Sequence, residues 1–494
     1  MIKNEREYKI TRSQAERFEE ALASLKNAPV ADGVHPKIRT IEAAAIRSQL
    51  EDLRRELEEY ESLKAGERES LAVDTLGQLP RALIQARIAT DMSQEELGQR
   101  LGVSKQMIQR YEASDYASAS LTRLKEVASA LGVHFRGEAS IPTKLPRVTK
   151  IFKRLASAGI ERNFILDRVL PSALTAELED ANGEPDRNHV LRMLDKINEV
   201  FGWSPVDIFG TTPLLYDGAA LSAGFKLPRN AAEKRTHAYA VYAHRLASIA
   251  LKATSHLNSQ PIPTEPKLVR NILVEQYGGV DFEPALRWVW RLGIAVLPLR
   301  DSAAFFGACW RQQGRNVIVL KQNTPHLARW LNDLLHELYH ASVAPDLPER
   351  RVLELNPLER RGEDEEDFAN DFASDVVLDD RADTLAEMCV NEAEAARARV
   401  RSRKGNVPFL KEAVCTVAAA ESVPVDSLAN YLAFRLSLQD NGPNWWGTAA
   451  NLQRAHPDPW RIARNVFFEF ARLDALDEPE RELLTRALTE VEGR

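Results

Sequence analysis

"TPHLARWLNDLLHELYHASV", Thr324–Val343, carries an apolar stripe and a polar motif on one short segment, and its reading decides what the larger part of the chain is. Leu327, Trp330, Leu331, Leu334, Leu335 and Leu338 recur at helical spacing and mark a broad buried face. Thr324 suits the N-cap and Pro325 the first helical position, where a missing N–H costs nothing. On a neighbouring face His336 and His340 stand four residues apart, one turn, so two imidazole nitrogens can reach one metal ion. Glu337 sits beside the first of them and can address a water on that metal. HExxH alone does not make a site in a chain with ten histidines. A third protein ligand and an open fourth position are needed.

A third ligand is available in "EDEEDFANDFASDVV", Glu363–Val377. Ala369 and Ala373 lie four apart, with Phe368, Phe372 and Val376 as a second stripe, so this segment is also a helix. The alanines permit close approach of a neighbouring helix, and Glu366, one turn before Ala369, becomes the candidate ligand. The acid run also suits the positive end of a helix dipole, which accounts for the charge but not for the alanine face. Upstream, "GIAVLPL", "FFGACW" and "NVIVL" (293–299, 305–310 and 316–320) read as three short strands. A strand edge beside such a site can hold an extended peptide by main-chain hydrogen bonds.

Composition limits the setting. The 494 residues mean several domains, and a net charge of −7 confines any nucleic-acid surface to a local patch. Cys309, Cys389 and Cys415, far apart and without CxxC spacing, give neither a disulfide framework nor a thiolate zinc site. "MIKNEREYKI" lacks an apolar signal core, and no run approaches the ~18 apolar residues of a membrane span. A cytoplasmic protein without membrane contact is expected.

Residues 79–135 have another character: short amphipathic helices between tight turns. In "DMSQEELGQRLGVSKQMIQRYEAS", Ser93 and Glu96 form a capping box, Gly102 makes the turn and Ser104 caps the next helix. Leu97, Leu101, Val103, Ile108 and Tyr111 can meet in a small core closed by Leu121, Leu124, Val127 and Leu131. Lys105, Gln106, Gln109 and Arg110 remain outward, donor-rich side chains of the kind a helix in the major groove needs. The stretch resembles the Cro/lambda-repressor (Xre) helix-turn-helix family. That resemblance implies double-stranded operator DNA as partner, a phosphate contact for Gln94, and a reading helix that begins at Ser104. Such modules generally read two half-sites, so a homodimer or higher even oligomer is expected.

Before this module, Ile46, Leu50, Leu53, Leu57 and Tyr60 form a short heptad seam, compatible with packing inside the domain or with a dimerising coiled coil. The layout of "YKITRSQAERFEEAL" followed by "IRSQLEDLRRELEEYESL" is similar to HigA-type antitoxins. After it, "EASIPTKLPRVTKIFKRL" is a basic connector that could track phosphates or merely link domains. "VLRMLDKINEVFGWSPVDIFG" then repeats the design of "LTRLKEVASALGVHF", which suggests a degenerate second helix-turn-helix. Its reading positions, "VLPSALTAELEDANGEPD", are acidic and suit a protein contact or spacer.

The strand cluster, HExxH and ExxAN followed by "FA" together resemble the ImmA/IrrE family of zinc metallopeptidases, over about residues 265–435 and including "KEAVCTVAAAESVPVDSLANYLAFRL". The resemblance implies Zn2+ on His336, His340 and Glu366, with Glu337 as general base. Tyr339 stands where that family usually has Gly and could narrow the cleft. It and His326 are candidate oxyanion donors. "VVLD" (376–379) replaces an "LLMP"-like segment. "RARVRSRKG" (397–405) reads as a solvated basic helix end, with a grip on nucleic acid or an acidic loop as the alternative. Trp445, Trp446 and Trp460 read as buried anchors for residues 441–494.

The expected fold is therefore mainly α and multidomain, with all-α helix-turn-helix modules followed by an α+β zincin-like domain with a small mixed sheet. Its parts are a helical, possibly dimerising segment (1–75), the Xre module (76–136), a linker with the degenerate module (137–225), the metallopeptidase domain (226–440) and a helical extension (441–494). The expected function is a DNA-binding transcriptional regulator whose zinc endopeptidase domain cleaves a repressor or antitoxin-like protein in a stress, prophage or toxin–antitoxin switch. The alternative is a non-proteolytic repressor or antitoxin whose zinc domain senses or binds a partner, and a purely structural zinc site is a third option.

Overall fold

The computed structural model describes residues 2–27, 36–67, 70–71, 73, 78–113, 115–116, 119–135, 147–179, 186–216, 231–301, 305, 307–354, 364–400, 407–437, 445–454 and 457–490. Its contacts divide the chain into two units, Met1–Pro142 and Thr143–Arg494. The chain is mainly helical with one four-stranded mixed sheet among the described residues.

The first unit is all α: α1 (Glu5–Asn27), α2 (Pro36–Lys64), α3 (Leu79–Ala89), α4 (Gln94–Leu101), α5 (Lys105–Ala113) and α6 (Leu121–Leu131). The local signals around α4 act as their chemistry requires. Ser93 and Glu96 form both arms of a capping box, and Gly102 closes α4 in the left-handed region at φ 65°. Leu97, Ile108, Val127 and Leu131 share a core with Leu83, Ile84, Tyr60 and Leu63, while Leu101, Val103, Tyr111 and Leu124 pack on its edge. Leu121 does not join them. It stands on the first turn of α6, at the edge of the stripe, and is 57% exposed. The heptad seam is turned inward in this chain: α1 and α2 pack along one another, Leu50 and Tyr60 are buried, and Tyr8 stacks on Tyr60 at 5.1 Å.

The second unit opens with short helices α7 (Val148–Ser157), α8 (Arg162–Phe164, running into a π-helical turn at Ile165–Val169), α9 (Ser172–Glu179), α10 (Arg187–Phe201) and α11 (Pro205–Phe209). Gly202 ends α10 in the left-handed region and Ser204 caps α11 with Asp207, the repeated design seen in sequence. The basic connector is helical from Val148, where Ile151, Phe152 and Leu155 are buried, and its part over 138–146 lies outside the described residues. So do 180–185 of the acidic stretch, 401–406 of the basic run and 441–444 of the extension.

The core follows as α12 (Ala231–Ala253), α13 (Pro266–Tyr277), α14 (Phe282–Arg291), β1 (Ala295–Leu299), β2 (Gly307–Gln312), β3 (Arg315–Lys321), α15 (Leu327–Ser342), β4 (Arg350–Glu354) and α16 (Asp364–Leu378). Helices α17 (Ala382–Val400), α18 (Val407–Glu421), α19 (Val425–Ser437), α20 (Trp446–Ala450), α21 (Pro459–Phe470) and α22 (Glu478–Ala487) complete it. The strand order is β1-β3-β2-β4, with β1 parallel to β3 and β2 antiparallel to both its neighbours. Sequence pattern marked the first three strands; β4, with two arginines at its start, carried no alternation to reveal it.

Alternation along β2 fixes the layers. Trp310 meets His244 of α12 edge-on at 5.6 Å and Gln312 donates to Ser248 at 2.9 Å, so α12 covers one face. Gly307 and Arg311 point the other way, to α15. Arg311, only 2% exposed, donates to the carbonyls of Ala341 (2.7 Å) and Val343 (3.2 Å) and so caps the C-terminus of α15, whose last carbonyls lack partners within the helix. Helix α15 starts at Leu327, two residues later than expected. Thr324 is not its N-cap, His326 is, and the Thr324 carbonyl instead accepts from the indole of Trp330 at 2.9 Å. That anchor holds the chain outside the helix until His326.

Candidate functional site

Helices α15 and α16 bring the predicted residues together. His336, His340 and Glu366 each offer one ligand atom, all within 4.8 Å of one another and all buried. The two Nε2 atoms are 3.1 Å apart, Glu366 Oε2 lies 3.4 Å from that of His336, and Glu366 Oε1 lies 3.8 Å from that of His340. Ligands held at about 2.0–2.1 Å in a tetrahedral array stand roughly 3.4 Å from each other, so these spacings fit one small divalent ion. Ala369 and Ala373, both fully buried, are the small side chains that let α16 approach α15 closely enough.

Neighbouring residues orient these candidate donors. Glu365 Oε1 lies 2.7 Å from Nδ1 of His340, so the imidazole donates there and turns Nε2 to the centre. Arg350 of β4 pairs with the same carboxylate and donates to the His340 carbonyl at 2.8 Å. The set is anionic. Burial alone opposes a charged imidazole, yet the hydrogen bonds of Glu365 and Glu366 outweigh it and push His340 up to about 10. Against the same desolvation, His340 and Arg350 pull Glu365 down to about 2, and the two histidines hold Glu366 well below the usual carboxylate range. A metal cation placed here would take over the charge that a proton carries on His340.

Glu337 is wholly buried over β2. A Cβ built on Gly307 would stand 2.1 Å from Glu337 Oε1, so only glycine leaves the carboxylate its place. Glu365, Arg350 and Gly307 were not singled out in the sequence. Gly307, a lone glycine inside a strand, was the one readable signal, because it marks a close approach.

A cleft of about 400 Å³ opens beside His336. His326 and Trp446 line it, and Trp446 is only half-buried, unlike Trp445 and Trp460, which are the anchors expected of all three. Tyr339 does not line it. Its ring packs between the helices against Phe372 at 5.6 Å, so it does not narrow the cleft.

In the first unit, Ser104, Lys105, Gln106, Gln109 and Arg110 are exposed at and along α5, and Ser104 Oγ accepts from the Met107 N–H at 3.3 Å. Lys105 reaches Glu95 at 3.3 Å. Gln94 is apart from this set. Only 7% exposed, it donates to Glu112 at 2.7 Å within a buried network in which Arg87 holds both Glu112 oxygens, at 2.6 and 2.9 Å. This network ties α3 and the start of α4 to α5 and fixes the exposed face in position.

Residues 83–137 match the family model described as helix-turn-helix, which supports a DNA-binding regulator with double-stranded DNA as partner. No curated protein and no solved structure matches the chain. No helix among the described residues is long and apolar enough to cross a membrane.

Proposed function

We propose that the chain is a transcriptional regulator whose second unit is a zinc-dependent endopeptidase of the ImmA/IrrE kind, acting on a repressor or antitoxin-like protein in a stress, prophage or toxin–antitoxin switch. The observation that carries this reading is the donor set His336, His340 and Glu366 with Glu337 one residue from the first ligand. A zinc ion held there would acidify a bound water and polarise a peptide carbonyl. Glu337 takes the proton of the attacking water as the carbon–oxygen bond forms. It then delivers that proton to the leaving nitrogen as the carbon–nitrogen bond breaks, so the products are an acid and an amine. Glu365 fixes the His340 tautomer and Gly307 makes room for the Glu337 carboxylate. The exposed face of α5 reads DNA, with Lys105, Gln106, Gln109 and Arg110 reaching base edges and phosphates. In this reading the target is held close by, on the same DNA or in a neighbouring copy of the chain of an even-numbered oligomer.

The test compares new protein N-termini in a host-cell extract after incubation with zinc-loaded wild type or Glu337→Gln, read by mass spectrometry. Termini that arise with wild type alone are expected. Identical sets would sink the hydrolytic reading and leave a regulator that works through binding.

A further inference from the structure

The cleft beside His336 has a composition that the metal centre does not require. Val377 and Leu378 of α16, Phe434 of α19 and Trp446 of α20 give it an apolar lining, and Phe434 and Trp446 keep part of their surface open to it. Its charges are already satisfied from within. Arg329 pairs with Asp333 at 3.1 Å, Gln322 donates to the other Asp333 oxygen at 2.5 Å, and the Arg329 guanidinium lies 5.7 Å from the centre of the Trp446 ring. A charged group entering this space would lose its water without gaining a counter-charge, whereas an apolar group loses nothing. The Asn430 amide belongs to the wall: its oxygen accepts from Gln453 at 3.1 Å and its nitrogen is buried away from the open space. At about 400 Å³ the cavity is at the small end of ligand pockets, suited to one large side chain with its own main chain.

We infer that this cleft is the specificity pocket of the metal centre, and that it takes one large uncharged apolar side chain, phenylalanine or leucine, from the polypeptide that lies across His336. The inference deepens the peptidase reading and rests on it for the word substrate. The pocket itself is defined by its walls. The Arg329–Asp333 pair excludes acidic and basic side chains by being closed on itself.

The experiment titrates full-length Glu337→Gln with blocked peptides acetyl-Ala-Ala-X-Ala-Ala-amide, X being Phe, Leu, Asp or Lys, by isothermal calorimetry. The Phe and Leu peptides are expected to bind at least about tenfold more tightly than the Asp and Lys peptides. Ala450, exposed and on the cleft rim, allows a filled pocket to be tested: adding Ala450→Trp should abolish the preference in a chain with unchanged helical signal. Equal binding of all four peptides, or a preference that survives Ala450→Trp, would overturn the assignment. Selective binding with no new termini from the zinc-loaded wild type would uphold the pocket and overturn hydrolysis instead.

Discussion

The carboxylate of Glu337 occupies the space where Gly307 lacks a side chain: a Cβ there would lie 2.1 Å from Oε1. Strand β2 therefore shapes the position of the proposed general base. Gly307→Ala should displace Glu337 and lower peptidase turnover on the order of 10²- to 10⁴-fold, the usual range for a lost acid–base group, at unchanged zinc content. Parallel assays of turnover and bound zinc check this, and loss of zinc together with turnover would contradict it.

Glu365 meets Nδ1 of His340, so its proposed role is to position that imidazole. Glu365→Gln removes the acceptor that holds the tautomer, and zinc affinity should fall about 10- to 100-fold, measured by competition with a chromophoric chelator. Glu365 and Glu366 are neighbours in one acid run, so the contrast with Glu366→Gln, which removes a ligand, tests the assignment of each.

The first unit separates folding from reading. Arg87→Ala leaves Glu112, 1% exposed, as an unpaired buried charge, and should destabilise the unit by about 3–5 kcal/mol with loss of DNA binding. Gln106→Ala and Arg110→Ala, on the exposed face, should leave thermal unfolding unchanged while weakening DNA binding. Equal thermal loss in all three would contradict the division.

Asp375, outside the donor set, gives a pH dependence of its own. Burial first, and then Asp380, Asp371 and Asp383, raise its pKa from the ordinary 3.8 to about 7. The folded state thus binds this proton more tightly than the unfolded chain, so its contribution is complete below the unfolded value and is lost as pH rises through the folded one. Wild type should lose thermal stability between about pH 4 and pH 7. Asp375→Asn should unfold at a higher temperature than wild type at the upper end of this range. A parallel pH response in both proteins would contradict this origin.

What the sequence disclosed depended on range. The capping box at Ser93, the turn at Gly102 and the one-turn spacing of His336 and His340 are local, and each is found where its residues place it. The alanines of α16 also reported their own packing in advance, because a face of small side chains has few other uses. Arg87 and Glu112 are 25 positions apart and carry no local sign that they meet, and the same holds for Arg350 and Glu365. Helix α15 begins late because a side chain six residues on, the Trp330 indole, bonds to the Thr324 carbonyl and overrides a good capping sequence. Leu121 kept its place in an apolar stripe but stands at its end, which periodicity alone does not resolve.

The most direct test is the metal content of the purified full-length protein, by elemental analysis, beside His336→Ala and Glu366→Ala. About one zinc per chain in the wild type, lost from both variants, is the expected result. A wild-type protein that binds DNA and carries no metal after zinc loading, or variants that keep it, would contradict the metal centre and the peptidase reading with it.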